Sequence, residues 1–155
     1  IAYGILVVIV GFITTFNELA NGIAEGPPEV AQSGLIAPFT NTVVFAIFFG
    51  AAIAYRRQTE IHKRLMLLAT VMLLIAAVLR MPVNPRPNLN LMPLFLIIWL
   101  APVFLAMIYD YVTRRVIHPV YVIGLVSLTI LSFRHLVSNT DLWMSIARQL
   151  STLVS

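Results

Sequence analysis

The sequence predicts an all-α, polytopic transmembrane helical bundle that forms a single domain over residues 1–155. First, 60% of the residues are hydrophobic and only 10% are charged, whereas a soluble domain carries about a quarter charged residues. Second, the hydrophobic residues form long unbroken runs, unlike the alternating pattern of a transmembrane β-strand. Because only helices and closed barrels satisfy the backbone within lipid, we expect about five membrane helices and a C-terminal interfacial helix.

The apolar segments that predict the membrane helices are spread along the whole chain. They cover approximately residues 2–16, 39–55, 62–81, 93–112 and 118–133. A spanning helix needs about 20 apolar residues, which the third and fourth segments provide. The fifth needs to continue through His135 to Val137. The first is short, and because residue 1 is Ile rather than Met, we expect the N-terminus to be incomplete.

Two further helices are predicted outside the apolar segments. The Gly-Pro-Pro-Glu turn at residues 26–29 lies in a long link rich in Gly, Pro and Glu, and it could start a short interfacial helix. The Ser-Asn-Thr-Asp sequence at residues 138–141 is typical of a helix start. After it, apolar side chains recur at helical spacing, so this tail is expected to lie in the membrane interface. These side chains are Leu142, Trp143, Ile146, Ala147 and Leu150.

The basic residues predict the orientation in the membrane. Six of them occupy the links that follow the second and fourth apolar segments. The first link has no Lys or Arg, and its charged residues are Glu18, Glu25 and Glu29. The positive-inside rule places the basic links in the cytoplasm, with the N-terminus inside and the C-terminus outside. The residues expected to anchor the helices at the two surfaces are Arg56, Arg57, Lys63, Arg64, Arg80, Arg114, Arg115 and Trp143. The cations form no continuous stripe, so we expect contacts with membrane lipids and none with nucleic acid.

Three ionisable side chains are the candidates for chemistry. His62 and His118 open the third and fifth segments, and Asp110 lies near the end of the fourth, so topology places all three at the cytoplasmic surface. The spacing of Asp110 and Arg114 favours an ion pair within one helix, and the cluster could be a hydrogen-bonded tie between helices. Alternatively, His62 and His118 could ligate haem, or both histidines and Asp110 could bind a metal ion. The absence of cysteine excludes thiolate chemistry and disulfides.

Small residues recur every four positions in the second segment, at Ala46, Gly50 and Ala54. Such a stripe permits close contact between membrane helices. It could serve internal packing, or the second segment could form a docking face for another chain or for pigment and lipid tails.

Two elements of the sequence carry a resemblance to a known group of proteins. Residues 56–66 (RRQTEIHKRLM) open a helix that ends in Arg80, and residues 110–119 combine an aspartate helix with a His-Pro pair. Over residues 39–124 the chain resembles a family of small, uncharacterised bacterial inner-membrane proteins. The resemblance implies a multi-pass protein of the bacterial inner (cytoplasmic) membrane without an established reaction. The HKRLM element is also similar to one in small membrane proteins linked to assembly of haem-copper oxidases.

These observations favour a non-catalytic integral membrane accessory subunit or assembly factor of a larger respiratory or photosynthetic complex. Other integral membrane subunits are then the expected partners. The alternative is a haem- or metal-binding membrane redox protein that uses His62 and His118. An enzyme is the less favoured expectation, because the sequence contains no phosphate-binding glycine loop, zinc-protease helix or nucleophile elbow.

Overall fold

The computed structural model describes residues 1–78 and 92–152, and within these ranges all regular secondary structure is helical. The helices are α1 (Ala2–Glu25), α2 (Pro28–Gly34), α3 (Ile36–Ala54), α4 (Thr59–Val78), α5 (Met92–Arg114), α6 (Pro119–Ser132) and α7 (Asp141–Ser151). One turn of 3₁₀ helix, Arg134–Leu136, lies between α6 and α7. The all-helical prediction is confirmed for this part of the chain.

Four helical stretches in the described ranges are long and apolar enough to span a membrane, which supports a membrane protein. They are Ala2–Glu25, Pro28–Ala54, Pro93–Arg114 and Pro119–Leu136. The last one extends beyond residue 133, as the fifth predicted segment required. The third predicted segment, residues 62–81, ends beyond the described residues, so a fifth span stays a prediction. Arg80 and its predicted place at the outer surface also lie outside the described residues.

Helix α1 is longer than the sequence analysis predicted, because it continues past residue 16 to Glu25. No proline interrupts the chain before Pro27, and Leu19, which is only 2% exposed, gives the extension a buried apolar side chain. Much of the predicted first link is therefore helical. The predicted short helix after the turn is confirmed as α2, which has a proline at its start and Glu29 in its first turn. A carboxylate there is favourable to the helix dipole.

The chain forms two compact units. Unit 1 contains Ile1–Val44 and Thr129–Ser155, and unit 2 contains Phe45–Leu128. The prediction of a single domain over residues 1–155 stays a prediction.

Unit 1 is held together by an apolar cluster on α1, α2, α3 and α7. The buried members of this cluster are Leu19, Leu35, Ile36, Trp143 and Ala147. The indole N–H of Trp143 donates to the backbone carbonyl of Gln32 at 3.1 Å, and its ring contacts Phe39 with centroids 6.2 Å apart. The predicted start of α7 is confirmed, since the Thr140 side chain accepts from the Trp143 backbone N–H. The predicted apolar stripe of α7 is only partly buried. Trp143 and Ala147 are buried, whereas Leu142 and Ile146 are exposed.

Unit 2 is built on contacts between α4 and α5. One side of α4 is fully buried, with Leu68, Val71 and Met72 each at most 1% exposed. Trp99 on α5 is also 1% exposed, and its indole N–H donates to the Val71 carbonyl at 2.8 Å. This bond gives the buried indole the partner that its N–H needs. Helix α5 continues through Pro102.

Helix α6 approaches α4 at a glycine. A β-carbon built on Gly124 would lie 2.4 Å from Leu68 Cδ1 and 3.0 Å from its Cγ. Real β-carbons essentially never lie within 3.0 Å of another residue's side-chain atoms, so only glycine fits here without displacing Leu68. By contrast, a β-carbon on Gly50 would meet no atom within 4 Å.

We expect the Gly124→Ala substitution to destabilise the protein by about 1–3 kcal/mol, because the fully buried Leu68 must shift to accept the added methyl group. Denaturant or thermal unfolding in detergent measures the change. Gly50→Ala is the matched control. It should be neutral or stabilising by up to about 1 kcal/mol, since alanine favours a helix over glycine. Equal effects of the two substitutions would contradict the close packing of α6 on α4.

Candidate functional site

Four helix ends meet at one end of unit 2. The first turn of α4 reaches the end of α3 through His62, whose Nδ1 lies 2.7 Å from the Ala52 carbonyl oxygen. It reaches the end of α5 through Glu60 and Arg114, whose side chains are 2.7 Å apart. The second turn of α4 reaches the start of α6 through Arg64, whose guanidinium carbon lies 5.5 Å from the centroid of the Tyr121 ring. We call this place the basic end of unit 2.

A group of charged side chains occupies the basic end, and we call it the charge cluster. Its members are Glu60, Lys63, Arg64, Asp110 and Arg114. The first three share one face of α4 because they are three and four residues apart. Asp110 and Arg114 lie in the last two turns of α5.

The centre of the charge cluster is a buried ion pair between Arg64 and Asp110. Arg64 Nη2 donates to Asp110 Oδ1 at 2.9 Å and to Oδ2 at 2.7 Å, and Nε donates to Oδ2 at 3.1 Å. The two side chains are 1% and 6% exposed. Because the guanidinium is planar and presents its donors as a fork, this two-oxygen contact fixes the relative orientation of α4 and α5.

Tyr121 completes the surroundings of the guanidinium. Its side chain belongs to the first turn of α6, is 7% exposed, and presents its ring to Arg64. A cation over an aromatic face is worth about 2 kcal/mol when both groups are desolvated. The pair thus holds three helices together rather than two.

Glu60 forms the exposed side of the charge cluster. Its carboxylate accepts from Lys63 at 2.9 Å, from Arg64 at 2.8 Å and from Arg114 at 2.7 Å. The Glu60 side chain is 42% exposed, so solvent screens these contacts more than the buried pair. Hydrogen bonds from Lys63, and then from the two arginines, lower the pKa of Glu60 from 4.5 to about 2.

The structure changes the partners that the sequence predicted. Asp110 was expected to pair with Arg114 or with a histidine, whereas both of its oxygens accept from Arg64 and Arg114 binds Glu60. Arg64 was placed among the surface anchors, yet its side chain is 1% exposed. One signal in the sequence could have found it. Arg64 stands four and eight residues before the buried Leu68 and Met72, so it continues the core-facing side of α4.

The two candidate histidines support helix ends and make opposite use of Nδ1. The Ala52 carbonyl can only accept, so Nδ1 of His62 carries the proton and donates. The Val120 backbone N–H donates to Nδ1 of His118 at 3.3 Å, so this nitrogen is unprotonated. His62 thereby satisfies one of the last carbonyls of α3, and His118 satisfies one of the first N–H groups of α6.

A metal site of the predicted composition is not assembled among the described residues. His62, Asp110 and His118 all fall in the described ranges, and no group of three or more His, Asp or Glu side chains in those ranges is placed to hold a metal ion. Asp110 would first need to give up Arg64. Among these three residues, His62 has its Nδ1–H on a backbone carbonyl, which leaves Nε2 for a metal ion, as in many metal-ligating histidines.

The remaining predicted site residues divide between exposed and buried positions. Arg56, Arg57 and Arg115 are exposed at the basic end, whereas Trp143 is buried in unit 1. In the small-residue stripe of α3, Ala46 is half-buried while Gly50 and Ala54 are exposed.

Comparison with protein-family models found no match, and searches of curated proteins and of solved structures found none either.

Replacing Arg64 with Leu should destabilise the protein by about 3–5 kcal/mol, because it leaves the Asp110 carboxylate buried without its partner. The double substitution Arg64→Leu/Asp110→Leu should recover most of this loss, since neither charge then remains. Arg64→Lys should fall between wild type and Arg64→Leu because an ammonium cannot form the two-oxygen contact. Unfolding in detergent measures all three. A double variant no more stable than Arg64→Leu would show that the two side chains are not energetically coupled.

Stability should depend on pH through Glu60. Its folded pKa is about 2 and its ordinary value is 4.5, so the ionised carboxylate contributes stability that is fully present above about pH 4.5. This contribution disappears as the pH falls toward 2. We expect the difference in thermal midpoint between wild type and Glu60→Gln to shrink across this range. A difference that stays constant from pH 7 to pH 2 would rule out Glu60 as the titrating group.

Proposed function

We propose that the chain is a non-catalytic, multi-pass accessory subunit or assembly factor of a larger membrane complex. In this proposal it lies in the bacterial inner membrane with five spanning helices and α7 in the interface. The complex is respiratory or photosynthetic, in keeping with the resemblance of the HKRLM element to oxidase-assembly proteins. The neighbouring integral subunits and the surrounding lipids are its partners.

The observation that carries this proposal is the open small-residue face of α3. Gly50 is exposed, and space for a β-carbon remains free around it, although α3 belongs to a stretch apolar enough to span a membrane. Glycine and alanine four residues apart let a second helix approach the backbone closely. Since unit 2 does not use this face at Gly50, it is suited to a helix of another subunit.

The buried ion pair supports the same proposal. An ionisable pair in a membrane protein is a functional candidate by default. Here, however, both Asp110 oxygens are occupied by Arg64, and the guanidinium is covered by Tyr121. A pair saturated in this way suits a clamp between α4, α5 and α6 better than a site that exchanges protons or ligands.

The alternative function, a redox protein with haem or a metal ion, has one favourable observation in the free Nε2 of His62. A second ligand from His118 would use its Nε2, which carries the proton while Nδ1 accepts from Val120. The absorption spectrum of the purified native chain separates the two functions, since a Soret band would favour the haem-binding one.

Labelling of single introduced cysteines tests the orientation. The chain contains no cysteine of its own, so only the introduced residue can react. We expect cysteines at the exposed positions Gln58 and Thr113 to react with an impermeant thiol reagent from the cytoplasmic side, because the basic links stay inside. A cysteine at Asn139 should react from the outside. Gln58 and Thr113 on opposite sides would contradict a membrane span through α4. A Gln58 cysteine that reacts only from the outside would contradict the orientation.

Purification from native membranes in mild detergent tests the accessory role. We expect the chain to migrate in a larger assembly with stoichiometric integral subunits of a respiratory or photosynthetic complex. Gly50→Leu should reduce the recovered assembly several-fold, because the added side chain blocks close approach to α3. Gly34→Leu is the matched control, since a β-carbon there also meets nothing within 4 Å.

Two results would contradict the accessory role. One is a chain that migrates alone from native membranes. The other is an equal yield of assembly from the Gly50→Leu and Gly34→Leu variants, which would remove α3 as the docking face.

A further inference from the structure

The basic end of unit 2 carries more positive charge than its own carboxylates can balance. The cations there are Arg56, Arg57, Lys63, Arg64, Arg114 and Arg115. The carboxylates are Glu60 and Asp110, so six positive and two negative charges leave a net charge of +4. Both carboxylates are already engaged by members of the charge cluster.

Three of these arginines belong to no ion pair with a described residue. Arg56 and Arg57 lie in the short link between α3 and α4, and Arg115 directly follows α5. All three are exposed. They share one end of the unit because His62 ties α4 to the end of α3, and Arg114 ties α5 to Glu60 on α4.

The backbone at Arg115 provides a second, independent observation. Its φ angle is 58°, in the left-handed region that glycine adopts easily and most other residues avoid. The Arg115 N–H donates to the Tyr111 carbonyl at 2.9 Å and closes the end of α5. Helices commonly end in this way with glycine at this position. The chain instead holds an arginine there, against the conformational preference, and this places its charged side chain directly at the end of α5.

The three arginines lie at the ends of apolar helices. Three stretches able to span a membrane end here, at Ala54, Arg114 and Pro119. Near the end of α5 Tyr109 is 69% exposed, and Val116, the residue after Arg115, is 67% exposed. Tyrosine is enriched where membrane helices reach the headgroup region, which favours a position of these arginines near the lipid phosphates.

We propose that Arg56, Arg57 and Arg115 form a binding site for the headgroup of an anionic phospholipid. The guanidinium forks bind the phosphate oxygens, as arginine does in other phosphate sites, and the exposed apolar side chains contact the acyl chains. The net positive charge of the basic end favours an anionic lipid over a zwitterionic one. The charge cluster beside the site holds the helix ends in place and takes no direct part in binding. This inference is independent of the accessory role and of which side of the membrane faces the cytoplasm.

Lipid titration of the purified full chain tests the proposal. The chain in neutral detergent is titrated with phosphatidylglycerol or with phosphatidylcholine, and bound lipid is counted by native mass spectrometry. We expect clear preference for phosphatidylglycerol. Each juxtamembrane cation contributes about fivefold in affinity, so the variant Arg56→Gln/Arg57→Gln/Arg115→Gln should bind roughly 100-fold more weakly. Equal affinity for the two lipids would overturn the proposal.

Two controls separate charge from folding. The variant with lysine at the same three positions keeps the charges and should retain most of the preference. Arg148→Gln removes an exposed cation of α7 and should leave the preference unchanged. If the triple glutamine variant does not fold, Arg57→Gln alone should still bind about fivefold more weakly.

Arg115→Gly separates the strained backbone from the bound lipid. Glycine relieves the left-handed conformation, so we expect a higher thermal midpoint in neutral detergent together with weaker phosphatidylglycerol binding. A variant that gains stability and keeps full binding would remove Arg115 from the site. Inorganic phosphate at millimolar concentration should not displace the lipid, because it lacks acyl chains. Displacement would reassign the site to a soluble anion.

Discussion

The contact between Arg64 and Asp110 is the constraint on which unit 2 depends. Removing an ion from water costs several kcal/mol, and a buried pair repays this only with good geometry and further partners. Here the carboxylate accepts on both oxygens, the guanidinium also reaches Glu60, and Tyr121 covers its face. Because the fork admits one orientation, the pair selects a single register of α4 against α5.

The side chains of the charge cluster differ in exposure, from a buried pair to an exposed outer layer. Asp110 and Arg64 are nearly inaccessible, whereas Glu60, Lys63 and Arg114 are 42%, 54% and 47% exposed. The buried pair therefore supplies most of the orientation, and the exposed contacts, which solvent screens, add little each. Glu60 connects the two layers, since it binds the buried Arg64 and the exposed Arg114 through one carboxylate. This arrangement fixes the first turn of α4 relative to the end of α5. It does not involve Arg56, Arg57 or Arg115, which remain available to other partners.

The helices could be predicted from the sequence because the apolar residues form unbroken runs, whereas a transmembrane β-strand alternates apolar and polar residues. The Thr140 cap and the proline at the start of α2 were also visible, because they act within a few residues. The partner of Asp110 was not, since spacing compares neighbours along one helix, whereas Arg64 is 46 residues away. The prediction of Trp143 as a surface anchor was wrong for the same reason, because its hydrogen-bond partner Gln32 is 111 residues away in the sequence. The sequence signal that pointed to Arg64 was its spacing of four and eight residues from the apolar Leu68 and Met72 on the same side of α4.

The histidines decide how far the geometry favours a structural role over a redox one. A ligand histidine usually donates Nδ1–H to a carbonyl and offers Nε2 to the metal, and His62 does the first of these with Ala52. His118 accepts at Nδ1 from the first turn of α6. Turning its Nε2 lone pair toward a metal would require the other tautomer and would remove this bond. Tyr121, one residue after Val120, would then lose part of the support that keeps its ring against Arg64. A pair of axial ligands would thus be made at the expense of the clamp that orders the same helix ends.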